Sequence, residues 1–282
     1  MRLRPFLAAF AVMSLAGAAT AVAAPAATRF TATVLDGGGG EPNVSVSPDG
    51  RTVLVSGLGG TPANLFRSTD GGRHFEGIKP KFAMAGGGDW DMRWLDNSTV
   101  VAVDLSLRNG IYVHRSTNRG TSWTTTVIQT DVYDRPWLDH FGRNVVYVVA
   151  KGFDGVPYLF TSHDGGRSFG SPPTPVLVYG TGVVPAAAGG TEPTPVEAFV
   201  TNQDAYLDHI TVDPRTGAVY VLYGIGGEDS YLNHPPVGIA NRLYVAKLEE
   251  GGFVSHPVHI GGADESFISG FNWMTIDAAG TL

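Results

Sequence analysis

Ser162-His163-Asp164-Gly165-Gly166-Arg167-Ser168-Phe169 decides the fold, because its pattern occurs three times. The other copies are Ser68-Thr69-Asp70-Gly71-Gly72-Arg73-His74-Phe75 and Ser116-Thr117-Asn118-Arg119-Gly120-Thr121-Ser122-Trp123. Each follows a short apolar run: Asn64–Arg67, Ile111–Arg115 and Tyr158–Thr161. A short strand followed by a Gly-rich polar box predicts a hairpin turn. In such a turn the carboxylate or amide of Asp70, Asn118 or Asp164 can accept nearby backbone N–H groups. Gly72, Gly120 and Gly166 supply a left-handed backbone angle at little cost. Phe75, Trp123 and Phe169 are expected to fold back into the core of their own unit. Loss of the box Asp is expected to strand buried donors.

Outside the boxes a second signature repeats: an extended run, a turn, then a very apolar run. It appears at Asn43–Gly50, Met92–Asp96, Trp137–His140, His209–Asp213 and Trp273–Asp277. Arg242–Leu248 followed by Glu249-Glu250-Gly251-Gly252-Phe253 reads as a degenerate box. Units of four short strands recurring at roughly 40–50 residues are the sequence form of β-propeller blades. The fold expected is all-β, a propeller of four-stranded antiparallel blades opening near residues 41, 89, 134, 206 and 270. That gives four blades and the first strand of a fifth. A propeller protects its edge strands by closing on itself. The chain therefore reads as the front part of a longer propeller, or as a small ring closed by Phe30–Leu35. Residues 170–205, rich in Pro, Gly, Ala and Thr, read as an insertion loop.

Composition agrees. The 282 residues are 43% hydrophobic and 16% charged, with 38 Gly and no Cys. Cys-based catalysis, disulfides and Cys-ligated zinc are excluded. The formal charge of −7 argues against nucleic acid as a partner. Met1-Arg2-Leu3-Arg4, an uncharged run to Ala19 and Ala21-Val22-Ala23 read as a secretory signal peptide over residues 1–23. The mature protein, residues 24–282, is then expected outside the cell, with no membrane span.

The boxes resemble the Asp-box (bacterial neuraminidase, BNR) repeats of the sialidase-like superfamily. The Ser-x-Asp-x-Gly-x-x-Phe/Trp match is complete at Ser68 and Ser162 and carries Asn118 for Asp in the second copy. The resemblance implies a propeller that is six-bladed when complete, with the boxes as structural hairpins away from the catalytic centre. It implies a carbohydrate-active protein, either an exo-sialidase-type glycoside hydrolase or a truncated relative. The alternative is a non-catalytic propeller that binds glycan, cell wall or protein. Sialidases of the superfamily carry an Arg-Ile-Pro motif, a three-Arg cluster, an acid/base Asp and a Tyr–Glu nucleophile pair. Here Gly40-Glu41-Pro42-Asn43 stands where Arg-Ile-Pro would be, so no catalytic residue transfers by motif.

In a propeller the openings of the innermost strands meet at the mouth of the hub. That places Glu41, Asn43, Asp89, Trp90, Asp91 and Arg93 there. It also places Asp134, Arg135, Trp137, Tyr206, Asp208, His209, Asn272 and Trp273 there. Asp89, Asp91, Asp134 and Asp208 are the candidate acids for general acid/base hydrolysis. Arg93, Arg135, Trp137, His209 and Trp273 are the candidate ligand-binding residues, since Trp faces stack on sugar rings and Arg grips carboxylates. Two structural readings stay open: the tryptophans as core between blades, and Asp134–Arg135 as an ion pair. His256 and His259 lie three apart on a strand and share no face, so no metal or other cofactor is expected. Runs Gly37–Gly40 and Gly86–Gly88 lack the following helix and Lys of a phosphate loop.

Overall fold

Runs such as Val100-Val101-Ala102-Val103 offer apolar side chains to both faces of a strand. A strand of this kind is stable only where both faces are covered. In the computed structural model the strand Val100–Leu105, which holds this run, is buried along its whole length. The structure describes residues 31–35, 42–57, 64–78, 88–105, 110–128, 132–152, 156–170, 172–176, 183–184, 194–195, 205–226, 239–260, 267–268 and 272–282. The expected signal peptide, Glu41 and most of the 170–205 segment lie outside these residues, as does the side chain of Tyr206. No helix occurs among the described residues, so none could cross a membrane. Of the unit Met1–Thr33 only residues 31–33 are described, and they are irregular.

The unit Val34–Leu282 is all-β. The first sheet runs β1 (Asn43–Val46), β2 (Val53–Gly57), β3 (Asn64–Ser68), β4 (Glu76–Ile78). The second runs β5 (Gly88–Trp94), β6 (Val100–Leu105), β7 (Ile111–Ser116), β8 (Thr124–Ile128). The third runs β9 (Val132–Phe141), β10 (Val145–Gly152), β11 (Pro157–Ser162), β12 (Thr174–Pro175). A small separate pair, β13 (Val183–Val184) and β14 (Thr194–Pro195), precedes the fourth sheet. That sheet is β15 (Ala205–Val212), β16 (Val219–Gly226), β17 (Ile239–Glu249), β18 (Gly252–Ile260), with β19 (Phe267–Ile268) also pairing β17. Every pairing is antiparallel, and all but that of β19 with β17 join strands consecutive in sequence. The first strands β1, β5, β9 and β15 pack beside one another in that order. These four sheets are the blades of a β-propeller, as the repeats predict.

The core lies between blades rather than within them. One apolar cluster joins Leu54 and Leu65 of blade 1 to Trp90, Met92 and Val100 of blade 2. A second joins Val101, Val103 and Ile111 to Leu138, Val146 and Phe160 of blade 3. A third joins Val149 and Leu159 to Leu207, Ile210 and Tyr223 of blade 4. Alternate residues of β6 and β10 thus serve opposite neighbours, as the period of two in a strand requires.

The boxes form the β3–β4, β7–β8 and β11–β12 turns. Ser68, Ser116 and Ser162 are each 1% exposed. Each hydroxyl accepts the N–H of the box glycine at 2.9 Å (Gly72, Gly120, Gly166) and donates to the box carboxylate or amide. Asp70 Oδ1 accepts Arg73 N and His74 N, and Asp164 Oδ1 accepts Arg167 N and Ser168 N. These carboxylates are partly exposed, so the buried anchor is the serine and not the Asp, contrary to expectation. The closing aromatics also differ from expectation. Trp123 and Phe169 pack on clusters that their own blades share with the preceding blade, rather than on a core confined to one blade.

Two further expectations change. Thr174–Pro175, inside the segment read as an insertion, is the outer strand of blade 3. Trp273–Asp277 forms no ladder among the described residues, and a turn closes between Asp277 and Thr281. Apolar alternation can mark a strand, but only a hydrogen-bonding neighbour makes one.

Candidate functional site

Each of the inner strands β5, β9 and β15 is bulged near its start. Asp89-Trp90 oppose Asp104 alone, Arg135-Pro136 oppose Ala150 alone, and Asp208 is inserted between Leu207 and His209. Such bulges bend a strand and re-aim its side chains. Asp89 (φ 54°) and Arg135 (φ 53°) take the left-handed conformation there, which is uncommon for residues other than Gly. Asp104, 1% exposed, holds the first bulge by accepting the N–H of Gly88.

At these openings lies a pocket of about 470 Å3 lined by Pro42, Asn43, Val44, Asp89, Trp90, Arg93, Asp134, Arg135, Trp137 and Trp273. Seven of the expected mouth residues on the inner strands, and Trp273, therefore meet. Pro42 and Val44 were not foreseen; nothing but their position beside Asn43 signals them. Trp137 and Trp273 stand at 85° with centroids 5.8 Å apart, and make an aromatic corner. Trp273 is 59% exposed. Trp90 is buried and stacks on His114 at 5.2 Å, so it serves the core and the pocket wall together. His114 was also missed; its signal is a polar residue in the otherwise apolar centre of Ile111–Ser116.

Asp91, Asp208 and His209 sit behind the wall. Asp91 is 0% exposed. Its Oδ1 accepts Asn43 Nδ2 (3.1 Å), Met92 N (2.9 Å) and Arg93 Nη1 (2.5 Å); its Oδ2 accepts Leu138 N (2.9 Å). It ties three blades and does not face the pocket. Asp139 repeats the device one blade on, where its Oδ2 accepts Val212 N at 2.7 Å. Asp208, buried, accepts Asn272 Nδ2 at 3.1 Å. Asp91 and Asp208 are thus structural carboxylates rather than pocket acids.

The ionisable groups differ in state. Burial raises the pKa of Asp134; Arg135 opposes this and Asp89 adds to it. Burial also raises Asp139, against the pull of Arg93. Burial works against the charge on Arg93, but Asp91 and Asp139 keep its pKa above the ordinary value. His209 is pushed down to about 3, by burial first and the Arg93 charge second. It is neutral, accepts from Arg93 Nη2 at 3.3 Å, and lies 3.9 Å from the Trp273 ring, centroid to centroid. Among the described residues no group of three or more His, Asp or Glu is placed to hold a metal.

The depressed His209 pKa has a pH consequence. Unfolded, the ring titrates near about 6.5. Its contribution is complete above that pH and is lost as pH falls toward about 3, by up to roughly 1.4 kcal/mol per pH unit. Asp134 and Asp139, raised, act in the opposite sense. His209→Gln keeps an acceptor for Arg93 without the titration and isolates the effect. Thermal unfolding between about pH 7 and pH 4 should show the wild type losing stability relative to the variant. Parallel curves would refute a neutral, buried His209.

What the pocket can do follows from its walls. Two aromatic faces can stack on a flat ring or meet a cation. Asp89 and Asp134 can accept from hydroxyl or ammonium groups, and Asp134 is biased toward holding a proton.

The sequence matches no protein-family model and no curated protein. Among solved structures it is similar to SapL1 lectin in complex with α-methyl fucoside: 12% identity, 81% of this chain and 66% of that one, TM-score 0.47. It is similar to NanB sialidase from Streptococcus pneumoniae: 11% identity, 75% and 29%, TM-score 0.39. It is similar to PpgL, a periplasmic gluconolactonase of Pseudomonas aeruginosa: 11% identity, 77% and 70%, TM-score 0.41. The chain thus spans slightly less than two thirds of the lectin. Four four-stranded antiparallel blades in sequential order make it an all-β chain of propeller type.

Proposed function

We propose that this chain is an exported, sialidase-like propeller that binds carbohydrate at the mouth of its hub. The observation that carries the reading is the pocket in which Trp137 and Trp273 form a right-angled corner beside Asp89, Asp134 and Arg135. Sugars offer an apolar C–H face to an aromatic ring and hydroxyls to carboxylates. The left-handed backbone at Asp89 and Arg135 adds support, because strain of this kind gathers at functional sites. The Ser-x-Asp/Asn-x-Gly turns support the superfamily, and the pattern of residues 1–23 supports export.

The test is a glycan panel titrated against the full chain and two variants. Trp273→Ala removes an exposed side chain and should leave folding intact. It is expected to weaken the best ligand by roughly ten-fold. Trp137→Ala, which removes the other ring of the corner, should also weaken it. A panel without a single binder, or affinities unchanged in both variants, would sink the proposal.

Hydrolysis is the second reading. It is favoured by the proton affinity of Asp134 beside a second acid, Asp89, which suits general acid catalysis. Turnover of fluorogenic glycosides that Asp134→Asn abolishes would establish it.

A further inference from the structure

We propose that the hub-mouth pocket selects a sugar carrying a free amine and disfavours one carrying a carboxylate. The inference rests on the carbohydrate reading above and names the class of sugar.

A carboxylate is gripped most strongly by an arginine that presents two parallel N–H groups. Arg93 cannot do so. Its Nη1 donates to Asp91 Oδ1 (2.5 Å) and to Met92 O (3.0 Å). Its Nη2 reaches His209 Nε2 at 3.3 Å, and its Nε faces Asp139 at 3.8 Å. The guanidinium is spent on holding blades 2, 3 and 4 together. Arg135 has its own carboxylate partner, with Nε 3.7 Å from Asp134 Oδ2.

Charge points the same way. On the wall and directly behind it stand Asp89, Asp91, Asp134, Asp139 and Asp208, against Arg93, Arg135 and Lys151. Acids outnumber bases, and the neutral His209 adds no positive charge. The acids already repel one another, Asp89 raising the pKa of Asp134, and an entering carboxylate would add to that repulsion.

The aromatic corner supplies the attraction. Trp137 and Trp273, at 85° and 5.8 Å, turn two ring systems toward one volume. An ammonium group there meets the negative faces of the rings and the Asp89 carboxylate, and its charge favours the ionised form of Asp134 beside it. A neutral N-acetyl sugar keeps the stacking and forfeits both of these terms.

The experiment is calorimetry of the full chain with a β-1,4-glucosamine trimer, its fully N-acetylated counterpart and a sialyl-lactose. It is run at about pH 6, below the range where an ordinary amine loses its proton. The amine trimer is expected to bind about ten-fold tighter than the acetylated trimer, and the sialoside weakest. Asp89→Asn and Asp134→Asn should each narrow that gap; Asn tolerates the left-handed backbone at position 89. Thermal melting checks that both variants fold, and Trp273→Ala should weaken both trimers. Equal binding of the two trimers, tighter binding of the sialoside, or a gap that persists in both Asn variants overturns the amine inference and leaves the carbohydrate reading standing. Failure of all three sugars to bind, together with a glycan panel that yields no ligand, overturns both.

Discussion

Asp91→Ala is expected to destabilise the protein by about 3–5 kcal/mol. The carboxylate is fully buried and accepts four hydrogen bonds, two of them from neighbouring blades. Alanine leaves Leu138 N and Asn43 Nδ2 without an acceptor and removes the nearer counter-charge of Arg93, whose remaining ion-pair contact is Asp139 at 3.8 Å. Removing one partner of a buried pair costs far more than the pair contributes, because the other charge stays out of water. Asp91→Asn should lie between, since it keeps one acceptor oxygen but not the charge. Urea unfolding reads both. A loss below about 1 kcal/mol, the scale of a surface contact, would show that the inner strands are not tied through Asp91.

Gly120→Ala should cost about 2–4 kcal/mol, as the sum of two effects. The backbone at Gly120 is left-handed, with φ 76°. A Cβ there would also lie 3.1 Å from Leu54 Cδ2 of the preceding blade and 3.4 Å from Trp123 Cζ2. Gly50→Ala separates the effects: φ is 69° and nothing lies within 4 Å of the new atom. That control should lose only about 1–2 kcal/mol, the backbone strain alone. Equal losses in urea unfolding would mean that the box glycines are there for the turn and not for the contact between blades.

The blades were legible because their signals are local. A strand followed by Ser-x-Asp/Asn-x-Gly fixes a hairpin within a dozen residues, and Ser116 to Trp123 reads this way despite its Asn118. The site was legible in outline for a geometric reason: inner-strand openings must converge, so Asp89, Arg93, Asp134, Arg135, Trp137 and Trp273 could be grouped without knowing any distance. The division of labour among them could not be read. Asp91 and Asp89 are both acids at the opening of one strand, and only the bulge decides which faces the pocket. A bulge is a mismatch between two strands and leaves no mark on either alone. The same holds for the box aromatics. Trp123 and Phe169 are apolar at a turn, and which blade covers them depends on how the ring is assembled.

Two of the bulges have a consequence for anyone reworking this scaffold. At Asp89 and Arg135 the backbone adopts angles that glycine accepts freely. Glycine there would make a sturdier molecule and strip the pocket of an acid or a base. A search for thermostable variants should therefore drift toward glycine at both positions, discarding the site as it goes, so such a screen must be run with ligand present.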